Sequence, residues 1–163
     1  MRLSSTAPQF PTASKSSNAS DAVKSLTFHI EHGDWSADLQ LPAEHTLEAL
    51  AYAIIEAVGF DMDHCFGFYD NLKNTCRSEE EYTLFADIGE EAKEGDTGVR
   101  STRLDAVFKP HKKMMFLFDY GDEWLFPVTC TGEADVRAFK RPKLLSTAGT
   151  PPVQYPDDGE FED

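Results

Sequence analysis

The stretch Met114-Met115-Phe116-Leu117-Phe118-Asp119-Tyr120-Gly121-Asp122-Glu123-Trp124-Leu125-Phe126-Pro127-Val128 decides the fold. Two apolar runs flank a short turn crowded with the carboxylates of Asp119, Asp122 and Glu123. Phe116, Phe118 and Tyr120 alternate on one side of the first run, and Trp124, Phe126 and Val128 on one side of the second, the period-2 pattern of half-buried strands. A hairpin is predicted. Gly121-Asp122 as a two-residue turn of type II′ would set Phe118 opposite Leu125. A three-residue loop, 121–123, would set Tyr120 opposite Trp124 and Phe118 opposite Phe126, gathering the aromatics on one face. The buried face generally dictates register, so the second pairing is the expected one.

Upstream, Leu26, Phe28 and Ile30 alternate with Thr27, His29 and Glu31. After His32-Gly33-Asp34, Trp35, Ala37, Leu39 and Leu41 alternate with polar residues until Pro42. This is a second predicted hairpin. Leu47, Leu50, Ala51, Ile54, Ile55 and Val58 follow the 3.6-residue period, with Thr46 placed to cap the helix start and Gly59 to end it. Cys65-Phe66-Gly67-Phe68-Tyr69 reads as a third strand and 70–74 as its turn. Residues 78–98 read as a lid or excursion ending in an acidic mobile loop. Ser101 or Thr102 is the expected cap of a helical turn presenting Leu104, Val107 and Phe108. Residues 133–145 have no decisive pattern. Residues 1–23 read as a disordered tail, 24–156 as one α+β domain and 157–163, five acids in seven positions, as a solvated acidic tail.

The order strand, strand, helix, strand, helical turn, strand is that of a β-grasp, ubiquitin-like sheet with one main helix. In that arrangement residues 26–31 would lie parallel beside 114–119, and the Trp124 strand would add antiparallel as a C-terminal extension. An antiparallel α+β sandwich of the same elements is the alternative.

At 163 residues the chain buries roughly 70% of its unfolded surface without needing a metal or disulfide. Its 29 acidic and 15 basic side chains leave a charge of −14, which opposes the phosphate neutralisation on which nucleic-acid binding depends. Cys65, Cys76 and Cys130 are odd in number and widely spaced, so they form neither a disulfide framework nor a zinc ribbon, and reduced cytoplasmic thiols are expected. No run is apolar enough to span a membrane, and the amino terminus lacks the apolar block of a secretory signal.

The strings Ala53-Ile54-Ile55-Glu56-Ala57-Val58-Gly59-Phe60-Asp61, Asp63-His64 with Phe66-Gly67-Phe68, and Phe118-Asp119-Tyr120-Gly121-Asp122-Glu123-Trp124 together resemble the Ri-plasmid ORF-three-like family of bacteria and archaea. The resemblance spans about residues 25–156, and 151–156 is similar to the family's Pro-rich close. The chain departs from the family where Asp34-Trp35-Ser36-Ala37 replaces an Ile-Trp-Arg-Arg string and His64-Cys65-Phe66 replaces His-Leu-His, and it lacks the acidic-cysteine close of many members. A role resting on paired arginines or a second histidine therefore does not carry over. The resemblance implies no reaction, since the family is largely uncharacterised. Insertion-element and resolvase-like names attached to some members reflect genomic neighbourhood, because a serine resolvase needs a nucleophile among arginines and a DNA-binding module.

Two groups of residues are chemical candidates. Asp119 and Asp122, with Trp124 beside them, crowd the hairpin turn, where carboxylates could converge on a hard cation. Acids and glycine are equally what a tight turn prefers. Asp61, Asp63 and His64, just past the helix end, could offer oxygens and an imidazole to a transition metal or to acid–base work. His29 sits on the polar side of a predicted strand, and His32, His45 and His111 fall in turns, all as surface histidines. No nucleophile with a base, full metal-ligand set or phosphate loop is visible, so neither metal nor cofactor is expected. A non-enzymatic module binding a protein partner is the favoured reading. A small metal-dependent enzyme would require the Asp61/His64 loop and the Asp119/Asp122 turn to meet in space, and a mobile-element DNA accessory would require a basic patch.

Overall fold

The computed structural model describes residues 21–89 and 97–156. The expected tail at 1–23, except for residues 21–23, the tail at 157–163 and the acidic loop at 90–96 lie outside the described residues. In chain order the elements are β1 (Ala22–His32), β2 (Trp35–Pro42), α1 (Leu47–Val58), β3 (Phe66–Tyr69), a 3₁₀ turn (Thr75–Arg77), β4 (Glu81–Thr83), α2 (Leu84–Ile88), β5 (Thr97–Gly98), α3 (Leu104–Val107), β6 (Lys113–Phe118), β7 (Trp124–Arg137) and β8 (Lys143–Ala148). The first strand thus begins two residues before the expected domain start. The fold is α+β.

One eight-stranded sheet has the order β5-β4-β3-β6-β7-β1-β2-β8, antiparallel throughout except for β4 with β5. It is larger than a ubiquitin-like sheet, and the expected parallel pairing of β1 with β6 is not formed. The reason is the length of β7. Its first half pairs with β6 from Phe118↔Trp124 to Lys113↔Thr129, and the strand then continues along β1 from Ile30↔Val128 to Ala22↔Arg137. The Trp124 strand is therefore a central member between β6 and β1 instead of an extension. A β-bulge at Thr131, whose hydroxyl reaches Thr27 at 3.0 Å, adjusts the β1–β7 register midway.

The β6–β7 connection corrects the expected register. Phe118 pairs with Trp124 and Phe116 with Phe126, so the loop is five residues, 119–123. The predicted face is right, because the shift is two residues and side-chain direction repeats every two. Asp119 (φ 69°) and Glu123 (φ 57°) take the left-handed backbone instead of Gly121, so the loop is wider than either glycine-based turn.

The core lies on one face of the sheet. Leu26, Phe28, Ile30, Leu39, Leu41, Phe66, Phe68, Phe116, Phe118 and Phe126 are essentially inaccessible, and α1 adds Leu47, Leu50, Ala51, Ile54 and Ile55. Each such Leu, Ile or Phe side chain contributes about 1.5–3 kcal/mol by leaving water. The Thr46 hydroxyl accepts from Ala49 N at 3.2 Å, and Gly59 (φ 86°) ends α1 as predicted. The remaining amide donors at the α1 start reach across the chain, Leu47 N to Thr102 O and Glu48 N to Val99 O. That contact explains the position of α3, whose cap position is Arg103 with no side-chain cap, not Ser101 or Thr102.

The described part of 78–98 is not a lid. Tyr82 and Leu84 pack against the core, β4 joins the sheet beside β3, and Asp87 accepts from Val99 N and Arg100 N. The undecided 133–145 stretch resolves into the end of β7 and the start of β8.

Candidate functional site

The Asp61/His64 loop and the Asp119 turn meet, and strand pairing is the cause. Because Phe66 pairs with Phe118, the residues preceding β3 lie beside those following β6, and Asp119 N donates to Cys65 O at 2.9 Å. Gly59 turns the chain out of α1, and Phe60 then buries its ring against Trp124, Phe118 and Phe126, which anchors the start of the loop. This places His64 Nε2 3.4 Å from Asp119 Oδ2 and 3.7 Å from Asp63 Oδ1.

The segment 149–156 completes the cluster. It leaves β8 at Gly149 and reaches the opposite side of the sheet end, where Gln154 is buried and used to the full. Its Oε1 accepts from Asp61 N at 2.7 Å, and its Nε2 donates to Asp61 O and to Asp63 Oδ1, both at 3.1 Å. Tyr155 donates its hydroxyl to Asp63 Oδ2 at 2.8 Å and lies 2.9 Å from His64 Nε2. Since the one phenolic proton goes to Asp63, neutral His64 must carry its hydrogen on Nε2 to complete that contact. The Tyr155 hydrogen bond, with the His64 charge and Gln154 assisting against partial burial, holds the Asp63 carboxyl below its ordinary value. The same bond, together with burial and the Asp63, Asp119 and Asp122 charges, pushes the Tyr155 phenol up to about 12.

Asp119 is nearly inaccessible. Its Oδ1 accepts from Gly121 N at 3.1 Å and Asp122 N at 3.2 Å, so the carboxylate organises the loop that carries it. Of the predicted site residues, Asp63, His64 and Asp119 come together. Asp61 enters through its backbone while its side chain is exposed, and Asp122 is exposed on the loop. Trp124 is packed between Phe60 and the His32 ring, with its indole nitrogen buried and unpartnered. It is a core anchor. His32 is correspondingly not a free surface histidine, since its ring packs on Trp124 and Phe126 and its Nδ1–H donates to Leu125 O at 2.9 Å. Gln154 and Tyr155 were not singled out by the sequence, where only the presence of two polar-capable side chains in a Pro-rich run hinted at them.

Two further polar groupings stand apart. On the outer face of the sheet, His29 Nδ1–H donates to Asp38 Oδ1 and Ser146 Oγ–H to Asp38 Oδ2, each at 2.8 Å. The serine and histidine both address the carboxylate and not each other, so they do not form a nucleophile–base pair. Tyr69 and Tyr120 share a hydrogen bond of 2.6 Å over Gly67, and burial followed by that bond holds the Tyr120 phenol well above its usual range.

Chemically, the His64 cluster joins one imidazole, two carboxylates and a phenol. Among the described residues no group of three or more His, Cys, Asp and Glu side chains is arranged to hold a metal ion. The donors point at one another and at backbone amides.

The family model for the plasmid pRiA4b ORF-3-like protein matches residues 34–158. The chain belongs to that family. The match covers α1, the His64 cluster and the β6–β7 loop alike. A comparison with curated proteins finds no match. A crystal structure of a protein of unknown function from Methanosarcina mazei Go1 is similar to 77% of this chain and 69% of that one, at 18% identity and a TM-score of 0.57. At that identity the likeness extends to the fold of this family member alone. No helix among the described residues is long and apolar enough to cross a membrane.

Proposed function

We propose that this family member works by binding protein through the open edge of its sheet, without catalysing a reaction. The observation that carries the reading is β8. It ends the sheet, bonded on one side to β2, and all six of its residues are exposed, with Leu144 at 54% and Leu145 at 51%. A strand in that position offers a row of backbone donors and acceptors to an added strand, with flanking side chains for selectivity. Beside it, Leu144, Pro142, Leu39, Ala53 and Ala57, together with the carboxylate-bearing Glu56, line a groove of about 210 Å³ against α1. The polar groups of the His64 cluster are spent on one another, which favours a structural clasp over a reaction centre. The −14 charge disfavours DNA as the partner, whatever mobile element the family's plasmid name implies. The unbridged thiols of Cys76 and Cys130 suit a reducing, cytoplasmic setting.

The test is a photo-cross-linking side chain at position 145 in the source cells, with Tyr52 on the exposed side of α1 as the control position. A discrete protein adduct at 145, absent at 52 and lost when Leu144→Lys is added, is the expected result. No adduct at 145 sinks the reading.

A second reading draws on the meeting of Asp63, His64 and Asp119, which was the condition for metal-assisted acid–base chemistry. Under it, manganese or zinc would raise thermal stability by mass action, by about 2.7 kcal/mol at a hundred times the dissociation constant. A flat titration removes it.

A further inference from the structure

We infer that the occupant of the β8 edge is β8 of a second copy of this chain, added antiparallel about a two-fold axis normal to the sheet. The inference rests on the edge-binding reading above. Its basis is the charge layout along the strand. Lys140, Arg141 and Lys143 crowd the start of β8, with Lys143 Nζ held 4.6 Å over the Phe139 ring. The far end carries one acid, the exposed Asp34. Ala148 pairs with Ser36, and Gly149 packs so tightly on the Asp34 carbonyl that a Cβ there would overlap it.

An antiparallel two-fold pairing sets the Lys143 end of each copy against the Ala148–Asp34 end of the other, so both contacts unite opposite charges. A parallel pairing would stack the two basic ends. An acidic peptide would satisfy the basic end and meet repulsion from Asp34 at the other. The two-fold also keeps equivalent faces together, so Leu144 of each copy projects on the α1 side, where the groove begins. Leu145 lies in the bulge between the Leu39↔Leu144 and Asp38↔Ser146 pairs. Lys143 and that bulge are features sheets use against indiscriminate edge pairing, and here they leave the charge-matched orientation open.

Sedimentation of the purified full chain across a wide concentration range should show the 18.2 kDa species doubling in mass, with amides 144–147 gaining exchange protection in step. Leu145→Lys should return the chain to monomer. Lys143→Glu should weaken association by about tenfold, and adding Asp34→Lys should restore it. Matching thermal melts verify that these exposed-site variants fold. A monomer at every concentration with freely exchanging β8 amides overturns the inference, as does a dimer indifferent to Leu145→Lys. The cross-link at position 145 separates the two levels. An adduct of twice the chain mass supports the second copy, an adduct to a different protein overturns it while keeping edge binding, and no adduct overturns both.

Discussion

Asp119 combines two costs that a substitution series separates. It holds a left-handed backbone (φ 69°), a conformation that disfavours most side chains by about 1–2 kcal/mol but that aspartate tolerates. Its buried carboxylate also accepts two loop amides at 3.1 and 3.2 Å. These bonds are long for charge-assisted ones, so about 1 kcal/mol each is appropriate. Asp119→Ala loses both bonds and adds about 1 kcal/mol of backbone strain, for a total of about 3 kcal/mol. Asp119→Gly loses the bonds but relaxes the backbone, and its extra unfolded-state freedom returns part of that gain, leaving about 2 kcal/mol. Asp119→Asn keeps an acceptor and the backbone preference and should cost about 1 kcal/mol or less. Urea denaturation at neutral pH gives the three values directly, and in a chain of this size the alanine variant should melt about 6–12 °C lower. The order alanine, glycine, asparagine is the signature. A glycine variant as stable as the native chain would show that the carboxylate does not organise the loop, and the clasp interpretation of the His64 cluster would fall with it.

A Cβ on Gly67 would stand 2.7 Å from the Tyr120 hydroxyl and 3.0 Å from the Tyr69 ring, so Gly67→Ala should cost about 1–3 kcal/mol. Adding Tyr120→Phe, which removes the struck oxygen, should recover part of it, and simple additivity in denaturant melts would contradict the contact. Asp38 is partly desolvated, yet hydrogen bonds from His29 and Ser146 and the His29 charge hold its carboxyl below 3.8. The stability it contributes is whole above that value and lost as pH falls through the lower folded one. Urea midpoints from pH 6 to pH 2 should therefore fall less steeply for Asp38→Asn, and an unchanged acid limb would rule this out. Burial raises the Cys130 thiol, whereas Cys76 is exposed, so an aromatic disulfide reagent should modify Cys76 in the folded chain and Cys130 only on unfolding. Equal rates at the two would refute the burial.

The helix and first hairpin were legible because several local signals agree there: period, Thr46, Gly59, and strict alternation on both sides of Gly33. Strand order was not, because nothing local tells β7 to change partners midway. Its second half, beyond Cys130, is exposed and lacks the alternation that marks a buried strand. β4 and β8 were missed for a related reason: a three-residue strand with two half-buried residues and one buried, and six exposed residues in a row, carry no period. The loop register failed because the buried face that was used to choose it is unchanged by a shift of two residues, and the wider loop depends on left-handed Asp119 and Glu123, which no local signal marked. At the site, Asp63, His64 and Asp119 were recognisable as chemistry-bearing types, but their union depends on the β3–β6 pairing. Asp122 and Trp124 followed from proximity in sequence, and the structure separates them into solvent and core.

The partner exchange of β7 also sets a schedule for synthesis. β1, β2 and α1 have been synthesised once residue 58 is added, yet the strand that must cover the second side of β1 does not begin until Trp124, and the Ser25 hydroxyl finds its Ala134 carbonyl 109 residues later. At about 5–20 residues per second, that edge stays open for roughly 5–20 s of translation. During that interval the nascent chain carries a strand with one apolar edge unpaired, in what becomes the interior of the sheet. The amino-terminal hairpin is thus the segment on which a chaperone has the longest time to act, and rare codons between residues 60 and 120 should lower the yield of folded protein more than the same codons after β7.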